Sequence, residues 1–215
     1  MGTSADPLRM YLVLLRGAVT ELSRAGELAG AAAVACVRRF AGDPAFAAAV
    51  AEWRPRPGKV CLRARTASQW REVLQEPHVV AGDPAGTGVI ALPPRRRSER
   101  GSLLERLQAM STALAPPPAD PPLDDDRGAL TYLLNPAAHM TSGKTLAQIA
   151  HAAVMAADGG GLEDWVAAGC PGRVAAPSPA VFAAACERDD LAARVVDAGL
   201  TEVPPGTVTV VALRP

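Results

Sequence analysis

The same succession of landmarks runs through this chain twice, and that repetition constrains the fold more than any single motif. Each pass opens on a short apolar run, MYLVLL at 10–15 and LTYLL at 130–134. A loop and a helix of small residues follow, GELAGAAAVACVRR at 26–39 and GKTLAQIAHAAVMAA at 143–157. Next come a short segment reaching a tryptophan (46–53 and 162–165) and a Pro-Gly-basic-Val turn, PGKV at 57–60 and PGRV at 171–174. A second helical stretch (67–75 and 180–188) precedes a Val-Val pair at 79–80 and 195–196. Both passes finish on a Gly-Thr-led apolar run, GTGVIAL at 86–92 and GTVTVVAL at 206–213. The pattern predicts two tandem units of βα(α)βαββ order: residues 1–94, residues 129–215, and a connector at 95–128.

The connector begins Pro-Pro-Arg-Arg-Arg and ends APPPADPPLDDD, a semi-rigid linker with no core of its own. Between them Leu103, Leu104, Leu107, Met110 and Leu114 predict an amphipathic helix near 102–114 whose apolar side packs on a neighbour.

Nearly half of the 215 residues are apolar, enough for a packed core, while aromatics make up only 4%, so that core is built from Ala, Val and Leu. Cys36, Cys61, Cys170 and Cys186 stand far apart with no CxxC or Cys/His spacing, and they read as reduced, buried thiols with no metal site. The run at 10–15 is too short to span a bilayer and carries no cleavage pattern, so the expectation is a cytoplasmic protein with no membrane contact. Zero net charge conceals a division. Residues 1–115 hold 16 Lys+Arg against 10 Asp+Glu, a net +6, and residues 116–215 hold 6 against 12, a net −6. The first part suits a polyanion, although two solvated faces of opposite sign would give the same count.

The stretch with most chemistry is SGKTLAQIAHA at 142–152. On a helix, Lys144, Gln148 and His151 fall at i, i+4 and i+7 and share a face. Only two lysines occur, Lys59 and Lys144, while every other basic side chain but the histidines is arginine. Ser142 and Gly143 open the helix, where unpaired N–H groups and the positive dipole end favour an anion. The string AHMTSGKT at 138–145 also ends like a phosphate-binding loop, but Ala138 stands where that loop needs its first glycine.

Two blocks, MTSGKTLAQIAHAAV (140–154) and VVDAGLTEVPPGTVTVVALRP (195–215), resemble the type 2 peptidyl-tRNA hydrolases of archaea and eukaryotes, in their MxxGKxxAQxxHA and DAGxTxxxPGTxTVLxIGP patterns. The resemblance covers most of 129–215. It implies an α/β unit with a four-stranded mixed sheet and helices on both faces. It implies hydrolysis of the ester joining a peptidyl or N-blocked aminoacyl group to tRNA, with no cofactor. The family's functional positions fall on Lys144, Gln148, His151, Asp197, Thr201 and Thr209.

Ester hydrolysis needs an oriented water, a proton acceptor and positive charge at the developing oxyanion. Asp197 suits the water, Lys144 the oxyanion, and Gln148 with the threonines the positioning, provided Lys144 and Asp197 meet in a solvent-filled pocket. Asn135 and Ala137 depart from the Arg and Asp that the family carries after its first strand. In the first copy Glu27, Ala31 and Val34 replace Lys144, Gln148 and His151, and Ala81 stands near the aspartate position, so that half is catalytically dead. Its arginines, with Arg95, Arg96 and Arg97 of the connector, are the expected grip on a tRNA acceptor end, in an intrachain pseudo-dimer or a homodimer. The alternative is a non-catalytic tRNA- or protein-binding descendant of the fold.

Overall fold

A computed structural model describes residues 6–111, 113–117 and 128–215. In chain order the elements are β1 (Arg9–Leu15), α1 (Leu22–Ala41), α2 (Ala47–Trp53), β2 (Gly58–Ala64), α3 (Ala67–Val73), β3 (Val79–Gly82), β4 (Gly88–Arg95), α4 (Gly101–Arg106) and β5 (Gln108–Ala109). After the connector come β6 (Leu130–Leu134), α5 (Ser142–Asp158), α6 (Glu163–Ala167), β7 (Gly172–Ala175), α7 (Pro179–Cys186), β8 (Ala193–Val196) and β9 (Val208–Leu213).

They form two mixed sheets, ordered β3-β4-β1-β2-β5 and β7-β6-β9-β8. In each, the first strand runs parallel to the second (β1–β2, β6–β7) and antiparallel to the fourth (β1–β4, β6–β9), which also pairs with the strand before it. A parallel pair needs a crossover, which α1–α2 and α5–α6 supply. β1 and β6 are continuous apolar runs because each is an inner strand covered on both faces.

The first sheet has five strands rather than the expected four, and the connector is the reason. The leucine stripe at 102–114 does not continue as one helix: α4 stops at Arg106, Leu107 turns extended, and β5 pairs with β2. Leu104 and Leu107 enter the core on the outer face of the first sheet, whereas Met110 enters the core between the sheets. One helical face cannot serve both sides of a sheet, so the helix ends where the chain changes sides. The proline-acid run at 118–127 lies outside the described residues.

α1 and α5 lie face to face between the sheets, and one hydrophobic core joins Met10, Leu12, Leu28 and Val34 to Tyr132, Ile149, Val154 and Val174. α1 also packs on β7 and α5 on β2, so each long helix touches the other half's sheet. Glycine lets the backbones approach. A Cβ at Gly26 would lie 2.7 Å from Ile149 and Val174, and one at Gly30 would lie 3.3 Å from Ala153 and 3.2 Å from the Tyr132 hydroxyl. The outer sheet faces carry separate cores, one with Trp70 and Leu104 and one with Phe182. Among the described residues no helix is long and apolar enough to cross a membrane.

Candidate functional site

Asp197 follows the last residue of β8 and stands beside the first turns of α5. Thr141 caps that helix, its Oγ1 accepting the Lys144 N–H at 3.3 Å. The cap starts the helix where Lys144 and Gln148, one turn apart, both face the end of β8. Lys144 Nζ and Gln148 Nε2 each donate to Asp197 Oδ2 at 2.5 Å, and the Gly199 N–H donates to Oδ1 at 2.8 Å. Thr209 Oγ1 donates to Gln148 Oε1 at 3.2 Å. That amide is thereby oriented with its NH₂ toward the carboxylate.

Burial works to raise the Asp197 pKa, but the hydrogen bond from Lys144, those from Gly199 and Gln148 and the ammonium charge outweigh it and hold the carboxyl below its usual 3.8. The carboxylate is therefore ionised at neutral pH, and it accepts from a cation, an amide and a backbone N–H.

The structure thus brings together Lys144, Gln148, Asp197 and Thr209. The other expected residues lie apart from that network. Thr201 is exposed on the β8–β9 loop. Its neighbour Glu202 accepts from Thr141 N–H at 2.6 Å and from Thr141 Oγ1 at 2.9 Å, covering the mouth of α5. Ser142 and Gly143 are buried: Leu114 N–H donates to Ser142 Oγ at 2.8 Å, and the Met110 carbonyl sits where a Gly143 Cβ would be. His151 is half-buried and makes no hydrogen bond with the described residues. Burial, then the Lys59 charge, lowers its pKa to about 3.

Asn135 fastens β6 to β9, donating to Val208 O at 2.7 Å, and its Oδ1 accepts from the Ala137 N–H at 2.9 Å. Arg95 pairs with Glu76 at 3.0 Å and Arg96 with Glu52 at 2.9 Å, while Asp6 accepts from the Arg97 backbone N–H. Two of the three connector arginines thus already face carboxylates.

The Lys144–Asp197 pair is also less open than a solvent-filled pocket requires, with side-chain exposures of 14% and 6%. An open cavity of about 540 Å³ lies elsewhere, lined by Gly161, Leu162, Trp165 and Arg214, and none of the candidate residues borders it.

Two features are hidden by the apparent alignment of the two halves. Asp83, rather than Ala81, has the turn setting of Asp197. Its Oδ1 accepts a backbone N–H two residues on (Ala85, 2.8 Å), as Asp197 does from Gly199, and its carbonyl accepts from Gly86 as that of Asp197 does from Gly206. The shared Gly-Thr that follows was the signal, but Asp83 is exposed.

The second feature is a one-residue offset in the PGKV and PGRV turns. Trp53 Nε1 donates to Gly58 O, whereas Trp165 Nε1 donates to Pro171 O, both at 2.7 Å. Lys59 therefore corresponds to Gly172 and faces the helices. Arg173 faces the opposite side, where it donates to Thr131 at 3.1 Å.

Among the described residues no three His, Cys, Asp or Glu side chains are grouped as metal ligands. No family model, curated protein or solved structure matches the chain.

Proposed function

We propose that residues 129–215 carry an ester-hydrolysis site of the type 2 peptidyl-tRNA hydrolase kind, acting on a peptidyl or N-blocked aminoacyl group esterified to the tRNA acceptor end. In this reading residues 1–94 are a degenerate second copy, packed against the first as an intrachain pseudo-dimer in a cytoplasmic protein. The observation that carries the reading is the convergence of Lys144, Gln148 and Thr209 on one ionised carboxylate, Asp197.

Lys144 commits one ammonium proton to Asp197 and has two for a substrate carbonyl oxygen. Asp197 retains lone pairs to orient a water and take its proton as the water oxygen bonds to the acyl carbon. The tetrahedral oxyanion is held by Lys144. It then collapses, the ribose oxygen leaves and is protonated, and a free carboxylic acid is released. Gln148, fixed by Thr209, keeps the carboxylate in position throughout.

A second reading has its own support: the pair is mostly buried, and the Met110 carbonyl and Glu202 cover the start of α5. Here Lys144–Asp197 is a fastener between α5 and β8 in a binding protein without turnover. Release of an N-acetylated amino acid from its tRNA, measured for wild type, Lys144→Ala and Asp197→Ala, separates the two. Hydrolysis lost in both variants supports the enzyme, and equal background rates in all three support the fastener.

A further inference from the structure

The chain leaves α5 through glycines at 159–161, and the last two take left-handed backbone angles, φ 77° at Gly160 and 70° at Gly161, that a side chain would strain. The turn they make sets Gly161 between two charges. Its carbonyl accepts from Arg214 Nη1 at 3.2 Å, and its N–H donates to Glu163 Oε1 at 3.2 Å. One glycine thus ties a guanidinium and a carboxylate to the same open cavity of about 540 Å³, a volume in the usual range for small-molecule sites.

The apolar part of the lining is fixed. Leu162 and Trp165 are buried, and Trp165 Nε1 donates to Pro171 O at 2.7 Å, which holds the ring in place. Ala168 adds a methyl group, and Arg214 and Asp164 line the cavity as exposed residues. Among the described residues Arg214 forms no ion pair, and the Asp164 carboxylate accepts no hydrogen bond. A guanidinium with four further N–H groups and a free carboxylate therefore share one cavity without closing on each other.

Those charges decide what fits. An anion would meet the carboxylates of Glu163 and Asp164, a cation would meet Arg214, and an uncharged molecule would leave all three without a partner. A zwitterion with an apolar body matches every part of the lining. In an α-amino acid the ammonium nitrogen and the carboxylate carbon lie about 2.5 Å apart, so both charges enter together. We propose that this cavity binds a free α-amino acid with an apolar side chain. Arg214 donates to its carboxylate through the guanidinium fork, Asp164 accepts from its ammonium, and Leu162, Trp165 and Ala168 cover its side chain. The cavity lies at the other end of β9 from the Asp197 network, since the five steps from Thr209 to Arg214 span roughly 16 Å of strand. The site is independent of the ester chemistry.

The test is a titration of the isotopically labelled full chain with L-leucine, following the Gly161 and Ala168 amide resonances by NMR. Three comparison probes each lack one feature: L-leucinamide the carboxylate, N-acetyl-L-leucine the ammonium, and glycine the apolar side chain. The expected result is a saturable shift with leucine and at least fivefold weaker binding of each comparison probe. Arg214→Gln should weaken leucine at least fivefold and leave leucinamide unchanged. Asp164→Asn should weaken leucine and leave N-acetyl-leucine unchanged. The absence of a saturable shift with leucine, or a comparison probe that binds as tightly as leucine, overturns the site. So does undiminished leucine binding in an Arg214→Gln protein with a native amide spectrum.

Discussion

Lys144 and Asp197, 53 positions apart, meet at 2.5 Å with most of both side chains out of water. Such a pair is costly to break from one side, because the survivor is left charged without a partner; loss of one member typically costs about 3–5 kcal/mol. Lys144→Met and Asp197→Leu should each lower stability by an amount of that order in urea unfolding. The double variant should recover most of the loss. Catalysis follows a different rule, and neither the single variants nor the double variant should hydrolyse N-acetyl-aminoacyl-tRNA above background, a loss of about 10²-fold or more.

Acid stability should follow Asp197. Its pKa is depressed in the folded chain, so its contribution is complete above about 3.9, the unfolded value, and is lost as pH falls through the lower folded value. His151, lowered to about 3 by burial and by Lys59, adds a loss that begins as pH falls below 6.5. Unfolding free energy measured from pH 7 to 2.5 should decline in both windows. His151→Phe should flatten the upper window and Asp197→Asn the lower one.

Lys59 should behave in the opposite way to a stabilising residue. Its ammonium is pushed down to about 7 by burial, so the unfolded chain holds more protons between pH 7 and 10.5, and stability rises with pH across that interval. Lys59→Met should be more stable than wild type at pH 7 and should lack the rise. A less stable Lys59→Met protein would show that the ammonium's contact with the Trp53 ring outweighs burial.

The helix seam depends on missing side chains. Gly26→Val must displace Ile149 and Val174, and the overpacking should cost about 1–3 kcal/mol. Gly42→Ala, with nothing within 4 Å, should fall within about 0.5 kcal/mol of wild type. Midpoints in guanidinium unfolding check both.

If the first half holds tRNA, arginines without a carboxylate partner should dominate the grip. Arg38 and Arg39, exposed at the last turn of α1, have no ion pair among the described residues, unlike Arg95 and Arg96. Arg38→Ala with Arg39→Ala should reduce the slope of log affinity against log salt by about 0.9 for each duplex-stem phosphate that is no longer neutralised. Arg95→Ala with Arg96→Ala should change it less.

The order of elements was readable from the chain because it is written locally. Alternating runs and small-residue helices marked each strand and helix, and Lys144 and Gln148 share a face by helical spacing alone. Asp197 was recognisable as an acid leaving a strand, since the turn after it is local too. Tertiary structure alone decided which way Lys59 points. A one-residue offset in strand register exchanges the two faces of a strand, and the identical look of PGKV and PGRV conceals it. It also decided that Leu107 packs on one sheet face while Met110 and Leu114 lie at the start of α5 and cover Gly143 and Ser142. Apolar residues record that they are buried, but they do not record against which surface, and that choice belongs to the packing of two halves around one pair of helices.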